Sequence, residues 1–214
     1  MQIIFWLLAF AVAISVHEAA HAWMADRLGD PTARLSGRMT LNPLAHADLY
    51  GTVLIPIFLM FIGSPFIFGW AKPVPIDPYN LKDPKRDSAI ISFAGPLANI
   101  VLAVFLSLLL RILLLPFSPV IYFYQLISAL IQFNIVIAIF NLIPVHPLDG
   151  GKILVGLLSD ETGRKVDQIL NQYGTILLLM LIFPIFGGTS IINLIISPII
   201  NLFLSILLPV SRVI

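Results

Sequence analysis

The segment Ser15-Val16-His17-Glu18-Ala19-Ala20-His21-Ala22-Trp23 sets two imidazoles four positions apart in an otherwise apolar stretch. On an α-helix that spacing puts both rings on one face, about a turn apart, near enough to share one metal ion. Glu18 stands beside the first imidazole rather than in line with the pair, which suits a general base acting on water better than a metal ligand. The chain has four His and two Glu, so composition alone assembles this His-Glu-x-x-His pattern with a probability on the order of one in a thousand. The plain alternative is a set of polar residues satisfied within a helix interface. No cysteine is present, so a metal here is held by nitrogen and oxygen, which points to one zinc ion.

A second stretch with chemical content is Asn141-Leu142-Ile143-Pro144-Val145-His146-Pro147-Leu148-Asp149-Gly150-Gly151, where two prolines stop a helix and a carboxylate stands at its mouth. Asp149 is the expected third ligand. His146, three residues earlier, is a candidate for an alternative or supporting ligand. His46, in the polar stretch Leu44–Gly51, is a candidate accessory or inhibitory ligand. For both, an ordinary interfacial histidine is the plainer reading.

These residues have to be positioned by a chain that is 59% hydrophobic with a mean hydropathy of +1.01, more apolar surface than a soluble domain of 214 residues can bury. The expected fold class is therefore an all-α polytopic membrane protein, with the lipid bilayer as its surroundings. The net charge of +1, with no basic run longer than Lys85-Arg86, argues against nucleic acid as a partner. Residues 3–25 read as the first membrane helix, retained because the candidate site follows at once. From Ala33 to Leu41 apolar and polar residues alternate, with Ala33, Leu35, Gly37, Met39 and Leu41 on one side, and predict a small membrane-associated β-strand or hairpin near the site.

The apolar run 52–70 is interrupted by Pro56, Gly63, Ser64, Pro65 and Gly69, and the proline-rich, charged residues 71–88 read as an ordered surface loop. Residues 89–115 and 120–143 read as a helical hairpin across Pro116-Phe117-Ser118-Pro119. Residues 152–173 read as interfacial, and apolar segments at about 174–186 and 189–208 close the chain, with Pro184 and Pro198 as kinks. The whole of 1–214 is expected to be one domain, a core over 1–155 followed by C-terminal helices over 156–214, without an internal repeat. Trp23, Trp70 and Tyr79 read as interfacial anchors.

Taken together, His17-Glu18-x-x-His21, Asn141-x-x-Pro144 and Leu148-Asp149-Gly150 resemble the site-2 protease family of intramembrane zinc metalloproteases. Gly95-Pro96-Leu97-Ala98-Asn99 resembles that family's Gly-Pro-x-x-Asn element. The resemblance covers roughly residues 1–155 and implies that His17, His21 and Asp149 bind zinc and that Glu18 activates water. It implies transmembrane segments of other proteins as substrates. The sequence departs from many relatives in carrying no PDZ or CBS module, and residues 42–88 are longer than in the minimal members.

Geometry adds a constraint. If 52–70 crossed the bilayer, the first helix and helix 120–143 would end on opposite faces, and Asp149 would not reach a metal held by His17 and His21. The run is therefore expected to re-enter, leaving about five spanning helices. Re-entry also collects Arg27, Arg34, Arg38, Lys72, Lys82, Lys85, Arg86, Lys152, Arg164 and Lys165 on one side, with Arg111 alone near the other. That side is expected to be cytoplasmic, close to the zinc, in a cell membrane of prokaryotic type.

Asn99 and Asn141 are candidate donors to the substrate backbone or to a developing oxyanion, with helix–helix hydrogen bonding as the plain alternative. The strand is a candidate edge for an unwound substrate. A different class of function, a membrane metal carrier or transporter, also uses broken helices and intramembrane charge, but has no need of Glu18. A homo-oligomer is left open.

Overall fold

The computed structural model describes residues 2–61, 69–113, 123–183 and 190–209. Among them the order is α1 (Gln2–Arg27), α2 (Thr32–Leu35), α3 (Pro43–His46), a π-helical turn at Leu49–Leu54, α4 (Ile55–Phe61), a 3-10 turn at Pro78–Asn80, α5 (Pro84–Leu113), α6 (Tyr124–Asn141), α7 (Asp149–Leu157), α8 (Asp160–Ile182) and α9 (Ile191–Leu207). Three helices are long and apolar enough to cross a membrane, Ile4–Arg27, Pro84–Ile112 and Tyr124–Asn141. Of the five spans expected, these three meet the length in full. α8 carries Asp160, Glu161, Arg164, Lys165 and Asp167 in its first two turns, joining the interfacial and apolar segments into one helix, while the apolar α9 has 17 residues.

α1, α5 and α6 pack against one another and form the frame of the site. The stripe of α1 that faces them runs Ala9, Ala13, His17, His21, Ala25, every fourth residue and all buried. Alanine at the flanking steps lets the neighbouring backbones come close, as small residues do in membrane interfaces, and only the two central steps carry bulk. On α5 the opposite surface, Val101, Phe105, Leu108 and Ile112, is exposed and apolar, as a lipid-facing stripe requires. Toward the other end Ala103 and Leu110 of α5, Ile131 and Ile135 of α6 and Leu207 of α9 close a second apolar cluster.

The expected strand over 33–41 is not formed. Asp30 accepts hydrogen bonds from the Thr32 amide at 3.1 Å and the Thr32 hydroxyl at 2.5 Å, fixing the chain where a single helical turn begins. Gly37, at φ +67°, ends that turn, with the Arg38 amide returning to Ala33 O at 2.9 Å. These local hydrogen bonds outweigh the alternation. The face expected inside is largely outside, with Leu35 75% and Leu41 65% exposed, while Arg38 is buried at 7%.

The ends of the 52–70 run meet. The Trp70 amide donates to Gly51 O at 3.2 Å, and the Thr52 hydroxyl donates to Trp70 O at 2.9 Å. The two described ends of the run, Gly51-Thr52 and Trp70, therefore lie side by side. The break expected at Gly63-Ser64-Pro65 and the hairpin turn at Pro116–Pro119 lie outside the described residues.

Candidate metal centre

His17 and His21 stand in the middle of the α1 stripe, their rings nearly perpendicular at 89° with centroids 4.6 Å apart. α5 passes directly over them at Gly95. A Cβ there would lie 2.5 Å from His21 Nε2 and 2.8 Å from His17 Cε1, so only glycine permits this approach. Asp149 arrives from the first residue of α7. Its position is set by the turn after α6, where Val145 and Leu148 are buried beside Leu178 and packed by Phe140, Ile143, Ile182 and Ile192.

Asp149 Oδ2 lies 3.0 Å from His17 Nε2 and 3.2 Å from His21 Nε2. Bonds of about 2.0–2.1 Å to a tetrahedral zinc place its ligand atoms about 3.3–3.4 Å apart, close to this spacing. The proton positions favour a cation as well. His21 Nδ1 donates to Ile91 O at 2.7 Å, because a carbonyl can only accept. His17 Nδ1 lies 2.7 Å from Asn99 Oδ1, and the Asn99 amide nitrogen is engaged with Ala13 O at 2.9 Å and Asn134 Oδ1 at 2.7 Å. In the neutral form both imidazoles therefore carry their proton on Nδ1 and turn an Nε2 lone pair toward Asp149. Three acceptors converging at one point with no hydrogen between them fit a divalent ion. Among the described residues His17, His21 and Asp149 form the group able to hold one.

Glu18 is outside that group but opens into the same small cleft of about 150 Å³, with Asn141, Ser92, Lys152 and Val74 also in its wall. Residues 69–77, which form no regular structure, cross the cleft as a strap. The Val74 amide donates to Glu18 Oε2 at 3.2 Å. Arg38 donates from Nη2 to Lys72 O at 2.7 Å and Pro73 O at 3.0 Å, and the Lys72 amide donates to His46 O at 2.9 Å. The far end is tied to Asp30, whose buried carboxylate accepts from the Asp77 amide at 2.7 Å and from Asn80 Nδ2 at 2.9 Å. Burial opposes ionisation of Asp30, but these hydrogen bonds and those from Thr32 outweigh it and hold the carboxyl below its usual range.

Of the other candidates, Asn141 reaches the cleft and spends one Nδ2 hydrogen on Ile137 O at 3.0 Å. Asn99 is fully buried behind His17. His46 is buried with Nε2 on Thr40 O at 2.8 Å, beneath the strap and apart from the ligand group. His146 points the other way, its Nε2 3.0 Å from Asp167 on α8. Arg38, Asp30 and Asn134 went unrecognised in the sequence. Of these only Asn134 leaves a signal, an amide side chain well inside an apolar helix.

The description peptidase family M50 matches residues 5–124 and 114–182. The chain belongs to this family, the site-2 proteases. It is a zinc metalloprotease, which removes the metal-carrier reading. YwhC of Bacillus subtilis, whose name marks it as a candidate zinc metalloprotease, is 36% identical over 190 residues, 85% of this chain and 81% of that protein. Zinc metalloprotease MJ0392 of Methanocaldococcus jannaschii is 27% identical over 197 residues, 90% of this chain but 47% of its own length. The regulator of sigma-E protease RseP of Salmonella typhimurium is 32% identical over 106 residues, 47% of this chain and 23% of that protein. No solved structure matches the chain.

Proposed function

We propose that this M50 protease cleaves transmembrane segments of other membrane proteins, with His17, His21 and Asp149 holding zinc and Glu18 serving as general base. The observation that carries the reading is the convergence of His17 Nε2, His21 Nε2 and Asp149 Oδ2 beside the Glu18 carboxylate. Zinc bound there supplies a Lewis acid that lowers the pKa of a water to about 7 and polarises the scissile carbonyl. Glu18, with Oε2 steadied by the Val74 amide, takes the water proton on Oε1 and returns it to the leaving amine nitrogen. Asn141 offers its second Nδ2 hydrogen to the substrate carbonyl, and Asn99 acts on the reaction only through His17.

The active domain in this reading is the whole of 1–214, crossing the membrane several times, with 52–70 re-entering from the side to which α1 descends. In this reading ten cations collect on that side, and the positive-inside bias supports taking it, with the zinc near it, as the cytoplasmic face of a prokaryotic-type membrane. Reconstituted protein and a single-pass membrane substrate test the reading. Cleavage within or at the edge of the apolar segment, abolished by a chelator and restored by zinc, is expected. Cleavage confined to a soluble tail would refute the substrate class.

A further inference from the structure

The two imidazoles are oriented by different means. His21 Nδ1 meets a main-chain carbonyl, Ile91 O, which has no alternative orientation. His17 Nδ1 meets a side-chain amide, and an amide turned over by a half rotation presents NH₂ where it had presented oxygen. Turned that way, Asn99 would force the His17 proton onto Nε2, the atom that faces Asp149, and the ring would cease to be a ligand there.

Two groups oppose that rotation. Ala13 O accepts one Asn99 Nδ2 hydrogen at 2.9 Å and Asn134 Oδ1 accepts the other at 2.7 Å. Asn134 is itself fixed, because its Nδ2 donates at 2.8 Å to Leu130 O one turn back on α6. Both asparagines are fully buried at 0% exposure, so no solvent replaces a missing partner. The line Leu130 O, Asn134, Asn99, His17 thus carries one hydrogen-bond sense from α6 through α5 to α1.

We propose that Asn134 is a positioning residue that keeps His17 in its metal-binding tautomer by fixing the orientation of Asn99. The proposal rests on the assignment of His17 as a ligand. Asn134 has no contact with substrate or metal in this scheme, and its effect passes entirely through Asn99.

The test is zinc affinity, measured by chelator competition on the zinc-loaded full-length protein. Asn134→Leu, which removes the acceptor at similar volume, is expected to weaken zinc binding by about tenfold, and Asn99→Ala by about 10- to 100-fold. The double variant is expected to be no worse than Asn99→Ala, because the second change has nothing left to act through. Asn134→Asp, whose neutral carboxylic acid keeps both the acceptor and a donor to Leu130 O, should stay within about threefold of the parent. If the leucine variant does not fold, Asn134→Ala makes the same deletion without added bulk. Losses that add in the double variant, or an unchanged affinity in Asn134→Leu and Asn134→Ala, would overturn the proposal. A His17→Ala variant that binds zinc as the parent does would instead refute the ligand assignment beneath it.

Discussion

The two halves of the site are built by different means. The metal half lies between α1, α5, α6 and the turn into α7, where side chains are held by buried side-chain and main-chain partners and by an α-helical frame. The base half is covered by residues 69–77, which have no regular structure and are tied down through backbone groups to Arg38, His46 and Asp30. Metal retention therefore depends on helix packing, and the setting of Glu18 depends on a strap laid over it. The two properties should be separable by substitution.

The largest effect is expected in the helical half. Asp149→Ala removes the carboxylate that both imidazoles face, and should lose zinc and cleavage together, measured as bound metal per chain and turnover of a membrane substrate. Zinc retained in full would transfer the third ligand to another residue and break the division at its root.

An intermediate effect is expected from the strap. Arg38→Ala frees the carbonyls of Lys72 and Pro73 and lets Val74 drift from Glu18. Turnover should fall by up to about 10²-fold, the scale for a displaced catalytic group, while zinc content stays at the parent value. Loss of zinc in parallel would mean that the halves are one unit.

The smallest effect is expected at the strap's far end. Asp30→Asn turns an NH₂ toward donors that now meet a carboxylate oxygen, and should lower stability at neutral pH by roughly 1–3 kcal/mol. The folded pKa of Asp30 is depressed, so its contribution is fully present above the unfolded value of about 3.9 and is lost as pH falls through the folded value. The difference between parent and variant in chemical denaturation should shrink below about pH 4. A difference that grew on acidification would show that Asp30 does not act as an ionised latch.

How legible each half was in the sequence follows the same division. His17 and His21 stand out in the sequence because one ion demands ligands a helical turn apart, and Asp149 because a carboxylate at a proline-broken helix mouth has few other uses; the structure brings these three together as a group able to hold a metal. The expectation that 52–70 turns back came from the need for Asp149 and the histidines to share a depth; what the structure adds is that the two ends of the run, at Gly51 and Trp70, are hydrogen-bonded to each other. The strand over 33–41 misled because alternation is a weak signal beside the hydrogen bonds of Asp30 to Thr32 and the left-handed Gly37, between which the chain makes a helical turn. Arg38 then lies inside, on carbonyls 34 and 35 residues away, and no local pattern announces such a partner. Asn134 does show as a polar residue inside an apolar helix, but its partner is fixed only when α6 meets α5.

The most direct measurement of the central claim is Glu18→Gln in the purified, reconstituted protein, assayed for zinc and for cleavage of a single-pass membrane substrate in the same preparation. Glutamine keeps the acceptor for the Val74 amide but cannot take a proton from water. About one zinc per chain should remain bound, with cleavage reduced by roughly 10²–10⁴-fold. Turnover at the parent rate with zinc in place would contradict Glu18 as the base, and loss of the zinc would make Glu18 part of the metal half.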